Sequence, residues 1–214
     1  MKIDLHTHTH RSGDSTTTYE EYIEAFQSSN LDKVAVTDHL TIEGALNLRE
    51  RLGDTIIIGQ EFRVKEGELI GLFIEKKIPP GLDARTASKM IRDQGGLVYV
   101  PHPGDQGRTS LTYETLFMLA NEKMIDIIEI GNSRWSPNGF NQKAQSIATK
   151  TSVSTGAGSD SHVETAIGSS YCDLGDAPWN DSSQFLLALS GASLTIDWFD
   201  PPRKWKSRIV PSSH

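Results

Sequence analysis

The stretch KIDLHTHTH, residues 2–10, decides how the rest of the chain is read. In an extended segment, residues two apart point the same way. Ile3 and Leu5 then share one face while Asp4 and His6 share the other, which predicts a short strand over residues 2–6. The same spacing lets His6 and His8 reach one ion. The stretch has no apolar leader core, and no window of the chain approaches about 18 apolar residues. A soluble cytoplasmic protein with no membrane contact is the expectation.

Downstream, the pattern alternates between strand and helix. Thr18 opens a helix and Glu21 completes a capping box, with Tyr19, Tyr22, Ile23 and Phe26 following at helical spacing. Strands are predicted at 33–37, 55–59, 68–74, 97–100, 125–130, 152–156 and 192–196, the third of these as a hairpin partner of the second. Helices are predicted at 42–52, 83–94, 112–122, 137–149 and 182–189. Such alternation predicts an α/β protein with a parallel sheet, open or closed into a barrel. The chain has 214 residues, 36% hydrophobic and 23% charged, which is enough for one domain with an ordinary core. A net charge of −7 argues against a generally basic nucleic-acid binder. The single cysteine, Cys172, forbids an intrachain disulfide, fits a reducing compartment, and reads as a buried apolar residue.

The polar residues fall at predicted strand ends. His6 and His8 close the first strand, Asp38 and His39 the second, Gln60 and Glu61 the third. His102 follows LVYV, Glu129 and Asn132 close IDIIEIGN, and Asp160 and His162 follow STGAGS. In α/β barrels such ends converge on one mouth. A lone histidine at a strand end is usually a hydrogen-bonded structural residue; the accumulation at one end of the strands is what points to metal. His6, His8, Asp14, His39, Glu61, Glu68, His102, Asp160 and His162 together offer imidazole and carboxylate without thiolate. That donor set suits two or three divalent ions of Zn, Mn or Fe.

The motifs DLHTHTHRSGD, VAVTDH, GQE, VPHP, EIGN and GSDSH, in this order, resemble the polymerase and histidinol phosphatase (PHP) superfamily over roughly residues 2–168. The resemblance implies a distorted (β/α)7, TIM-like barrel with up to three metals at the C-terminal mouth, and phosphoester hydrolysis. It implies a single domain over 1–214, with about 169–214 as a C-terminal extension. By the same resemblance the first metal would be held by His6, His8, Glu61 and Asp160. The second would be held by Glu61 as a bridge and His102, and the third by Asp14, His39 and His162. A hydroxide shared by the first two metals would attack phosphorus, so Glu61, His102 and Asp160 stand at the catalytic centre. One departure is Glu68, at a position where many members carry histidine; ligation through its carboxylate is the favoured reading. Asp4, Asp38 and Glu129 are expected behind the ligands, orienting them.

For phosphate recognition, Arg134 in IGNSRW is the first choice, then Arg108, then His10, with Asn132 and Ser133 positioning substrate. Trp135 could stack on a base or simply pack. The basic tail, with Arg203, Lys204, Lys206 and Arg208 around Trp205, reads first as a strap on the barrel or a dimer interface. The expected partner is a small phosphorylated compound or a nucleotide, with nucleic acid only as a short substrate. An amide or ester hydrolase on the same metals is the second reading, and a non-catalytic metal-binding module the third.

Overall fold

The computed structural model describes residues 1–134 and 139–199. The alternating N-terminal stretch forms β1 (Lys2–Thr7). The other strands are β2 (Lys33–Val36), β3 (Ile56–Val64), β4 (Gly67–Leu72), β5 (Leu97–Val100), β6 (Ile127–Asn132), β7 (Ser154–Gly158), β8 (Ser170–Asp173) and β9 (Ser193–Ile196). The helices are α1 (Tyr19–Ser28), α2 (Glu43–Leu52), α3 (Ala84–Arg92), α4 (Tyr113–Asn121), α5 (Gln142–Thr151) and α6 (Ser182–Leu189). The sheet runs in the order β7-β6-β5-β4-β3-β2-β1-β8-β9. β2 holds one edge of β1. On the other edge, β8 pairs antiparallel with Lys2 and Ile3. Farther along that edge the segment just past β7 takes over: Asp160 N donates to His6 O at 2.7 Å and His8 N to Ser161 O at 3.0 Å. The first seven strands thus form a nearly closed, TIM-like barrel, and β8 and β9 extend its sheet.

The barrel is distorted at β4, which runs antiparallel to both β3 and β5. The third strand was expected to stop at Gly59. It continues to Val64 because residues 59–64 pair one for one with 72–67 in a hairpin. Gln60 and Glu61 therefore lie inside β3 rather than at its end. Glu61 still reaches the mouth, since β3 overruns β2 and meets His39 in a parallel bridge. The helix expected from residue 137 begins at Gln142, where the Asn141 side chain accepts from Ala144 N at 3.0 Å. β8 was not expected from the sequence: SYCD has polar residues at both ends and lacks the apolar run that marks β2 and β5. Trp135, the tail from residue 200 and the first residues of that expected helix lie outside the described residues.

Period-2 patterning sorts the side chains into layers. Val98, Val100, Ile128 and Ile130 pack with Ala84, Ala87 and Ile91 of α3, Leu116 and Leu119 of α4, and Ala144 and Ile147 of α5. Leu97, Tyr99 and Ile127 face the other way and join Ile3, Leu5, Ile57, Ile70 and Leu72. α1 starts with the capping box read from the sequence, Thr18 and Glu21 each satisfying the other's backbone N–H. Among the described residues, no helix is long and apolar enough to cross a membrane.

Cys172 belongs to the second of these layers and is buried. Burial pushes its thiol up to about 12, and only a thiolate is an effective nucleophile. The folded protein is therefore expected to show no thiol titre with an aromatic disulfide reagent at pH 8, and one equivalent after denaturation. Rapid labelling of the native protein would place Cys172 elsewhere.

Candidate metal centre

His6, in β1, and His8, just past its end, set the centre. His6 is fully buried, and its Nδ1 lies 3.0 Å from Glu129 Oε1. The carboxylate fixes the proton on Nδ1 and leaves Nε2 facing inward. His8 is fixed by a different chain: Ser12 Oγ donates to Asp38 Oδ1 at 2.8 Å, so it accepts from His8 Nδ1 at 2.8 Å. In the neutral rings both Nε2 atoms are lone pairs, and they face each other at 3.1 Å. Glu61 Oε2 stands 3.1 Å from one and 3.2 Å from the other. Asp160 Oδ1 is 3.6 and 3.5 Å from the same pair. Four acceptors pointed at one another need a cation among them. A proton can serve: burial opposes it, but Asp160, Glu61 and Glu129 raise the proton affinity of His6 well above the usual imidazole range. A divalent metal satisfies all four at once, so the residues fit the group.

The remaining residues extend the cluster around Glu61. His102 Nε2 is 3.0 Å from Glu61 Oε1, its Nδ1 turned to Ser110 Oγ at 2.8 Å. His39 bridges two carboxylates, with Nδ1 3.5 Å from Glu61 and Nε2 3.4 Å from Asp14 Oδ2. His162 Nε2 is 3.3 Å from the same Asp14 oxygen. Among the described residues Asp14 Oδ1 is buried with no hydrogen-bond partner, an oxygen placed for a cation. Glu68, His39 and Glu61 bring donor atoms within 4.8 Å of one another, as do three further trios: His8 with His39 and His162, His6 with His102 and Asp160, and His6 with His8 and Glu61. Glu68 also lies 3.4 Å from the Arg63 guanidinium. All nine predicted donors therefore converge on one end of the barrel. Two of them, His102 and Asp160, carry positive φ angles of 29° and 52°, a conformation costing non-glycine residues on the order of 1–3 kcal/mol and concentrated at functional sites.

The field inside is negative. Burial disfavours charge on His39, but Glu61 and Asp14 lift it to about 9. Burial and neighbouring His8 push His162 down to about 4, leaving a neutral ring, the form that binds metal. Burial would raise Asp160 as well; Arg134, Arg108 and His6 outweigh it and hold the carboxyl well below its usual range.

The residues expected behind the ligands divide the work. Asp38 accepts from Thr9 N, Thr9 Oγ1 and Ser12 Oγ at 2.7–2.8 Å. Asp4, which burial pushes up to about 6, accepts from His6 N, Ser159 N and Gly168 N at 2.9–3.2 Å, tying β1 to the loop after β7. Glu129 holds His6 and also accepts from His102 N at 2.5 Å.

The mouth opens into a cavity of about 510 Å³ lined by Arg63, Arg108 and Arg134 among the ligands. Arg108 pairs with Asp160, with Asp105 at 3.1 Å, and with Asn132 Oδ1 at 3.4 Å. Arg134 Nη1 lies 3.3 Å from Asp160 Oδ1. Asn132 Nδ2 donates to Glu129 at 3.0 Å and to Asp160 at 3.3 Å. Ser133 is buried against Ser169 and Ser170, at 2.7 and 2.6 Å. His10 does not line the cavity: its ring packs edge-on to Tyr19 at 4.6 Å and its Nδ1 reaches Thr17 O. Reading the sequence missed Ser12, Tyr99 and Ser110, which touch ligands only through the fold, and Leu40 and Arg63, which line the cavity.

Residues 4–178 match the family described as the PHP domain. The chain belongs to the PHP domain family. Two proteins of Methanocaldococcus jannaschii, both called uncharacterized, are similar to it. MJ1587 is 37% identical over 116 residues, 48% of this chain and 68% of its own. MJ0417 is 32% identical over 173 residues, 80% of this chain and 69% of its own. Among solved structures, a two-domain protein from Bacteroides vulgatus containing a predicted PHP-like metal-dependent phosphoesterase superposes with a TM-score of 0.72 at 17% identity, covering 92% of this chain. The chain spans 65% of that larger protein. The matched PHP region runs through β8 and takes in the His, Glu and Asp clusters that could hold metal.

Proposed function

We propose that this PHP protein hydrolyses a phosphate ester, of a nucleotide or a small phosphate monoester, with two or three divalent metal ions. The observation that carries the reading is the pair of facing imidazole nitrogens, His6 Nε2 and His8 Nε2, closed by Glu61 and Asp160, beneath the guanidinium groups of Arg108 and Arg134. His6, His8, Glu61 and Asp160 would hold one ion, Glu61 and His102 a second, and Asp14, His39 and His162 a third, with Glu68 beside the last two. Bound divalent ions supply Lewis acidity toward a phosphoryl group and a nucleophile at neutral pH. The chain does the rest. Glu61 spans the cluster with its two oxygens. Arg108 and Arg134 present planar donors to the non-bridging oxygens of a phosphoryl group. Asn132, fixed to Glu129 and Asp160, holds those groups in register.

The test is phosphate release by the Mn²⁺-loaded protein from an aryl phosphate and a panel of nucleotides, beside amide and ester substrates. Turnover on phosphates, abolished by EDTA, is the expected result. Turnover confined to amides or esters would replace the reading with the carbonyl one. Arg134→Ala separates the two further: kcat/KM on the phosphate is expected to fall about 10- to 100-fold, a loss of ~1.4–2.7 kcal/mol. A carbonyl substrate has no phosphate fork to lose.

A further inference from the structure

We propose that Tyr99 is a positioning residue for the metal centre, acting through Glu129 on His6. Tyr99 is fully buried on β5 and paired in register with Ile127. Its hydroxyl donates to Glu129 Oε1 at 2.8 Å. The same oxygen accepts from His6 Nδ1 at 3.0 Å. The rings of Tyr99 and His6 meet edge-on, 6.5 Å between centroids at 81°. Glu129 Oε2 is filled by His102 N at 2.5 Å and Asn132 Nδ2 at 3.0 Å. One buried carboxylate therefore grips two ligand histidines, His6 by its ring and His102 by its backbone, while Tyr99 and Asn132 take up the rest of its accepting capacity.

Two donors on one oxygen compete for its charge. The more the phenol takes, the less Glu129 pulls on the Nδ1 proton of His6, and the weaker a donor Nε2 becomes. A partner behind a ligand histidine fixes the ring and raises its basicity; Tyr99 moderates that effect. A weaker Nε2 leaves more positive charge on any ion it holds. Tyr99 thus trades metal affinity for electrophilic strength. A phenol that only filled a hole in the core would show no such link.

The test compares Tyr99→Phe, which removes one oxygen in place, with Glu129→Gln, which replaces the carboxylate by a neutral amide. Mn²⁺ dissociation constants are measured by calorimetric titration of the metal-depleted protein, and the ligand-field absorption of the Co²⁺-loaded protein is recorded. Tyr99→Phe is expected to tighten metal binding and Glu129→Gln to weaken it, each on the order of 3- to 10-fold, with the Co²⁺ bands moving in opposite directions. The turnover arm alone rests on the phosphoesterase reading: there Tyr99→Phe should lower kcat several-fold at unchanged KM. Failure of turnover on every phosphate would sink that reading and leave the titration arm to decide this one. Shifts of equal sign in the two variants would overturn it, as would a changed melting temperature with unchanged metal affinity and Co²⁺ spectrum. Should Tyr99→Phe not fold, Glu129→Gln with wild-type metal affinity would overturn it equally.

Discussion

Glu61→Gln and Asp160→Asn will each lower kcat/KM for phosphate release by about 10³-fold or more, ~4 kcal/mol of transition-state stabilisation. Both changes keep volume and shape, so what they remove is charge and ligand character. Glu61 is the residue most deeply shared: its two oxygens lie within 3.0–3.5 Å of His6, His8, His39 and His102. An amide there brings two N–H hydrogens into a ring of groups arranged to accept a cation. Asp160 meets His6, His8 and His162 on one side and Arg108 and Arg134 on the other. Its loss removes a ligand and frees two guanidinium groups from their buried counter-ion. The defect should read as lost metal. Wild-type protein at a metal concentration 100 times Kd gains about 2.7 kcal/mol of stability, which for a chain of this size is a rise of roughly 5–11 °C in Tm. Both variants should show a much smaller rise and a lower metal content by elemental analysis. Wild-type turnover and stoichiometry in either variant would remove these residues from the centre.

How far the sequence alone reaches follows from what kind of pattern each feature leaves. The HxH of residues 6–8 and the DSH of residues 160–162 are visible because a period of two is written into adjacent residues. Strand-end histidines such as His39 and His102 are visible because short apolar runs precede them. The (β/α) alternation reveals the barrel for the same reason. What hides is whatever depends on pairing between distant segments. β3 runs five residues past its apolar core because β4 folds back on it, and Glu61 is drawn to the mouth by that hairpin. β8 joins the sheet by pairing Asp173 and Cys172 with Lys2 and Ile3, at the far end of the chain. His10 sits beside the ligands in sequence, yet the turn at 10–12, capped by Thr9, swings its ring onto Tyr19. Tyr99 looks like any core aromatic of a strand; only the register of β5 against β6 sets its hydroxyl on Glu129.

The second large effect concerns Gly158, and it joins the fold to the site. Gly158 ends β7 where that strand closes against β1. A Cβ placed on it would lie 2.3 Å from His6 Cβ and 2.8 Å from His6 N. Neither atom belongs to the free end of a flexible side chain, so the clash cannot be relieved by a rotamer change. Either β7 withdraws from β1, breaking the Asp160 N to His6 O hydrogen bond, or β1 shifts and carries the His6 ring with it. Gly158→Ala should therefore destabilise the protein by about 3 kcal/mol, at the upper end for overpacking a core, and lower Tm by roughly 6–12 °C. It should also lose metal out of proportion to that change, because the displaced residue is a ligand and its neighbour Asp160 is another. Gly175→Ala provides the contrast: its φ of 60° brings left-handed strain, but nothing lies within 4 Å of the added carbon. It should cost only on the order of 1–2 kcal/mol and leave the metal count intact. Melting temperature and metal stoichiometry, measured on both variants, read the two effects separately. A Gly158→Ala protein that melts and binds metal like the wild type would mean that β7 does not run against His6, and that the convergence of the histidines on one mouth is not how this chain folds.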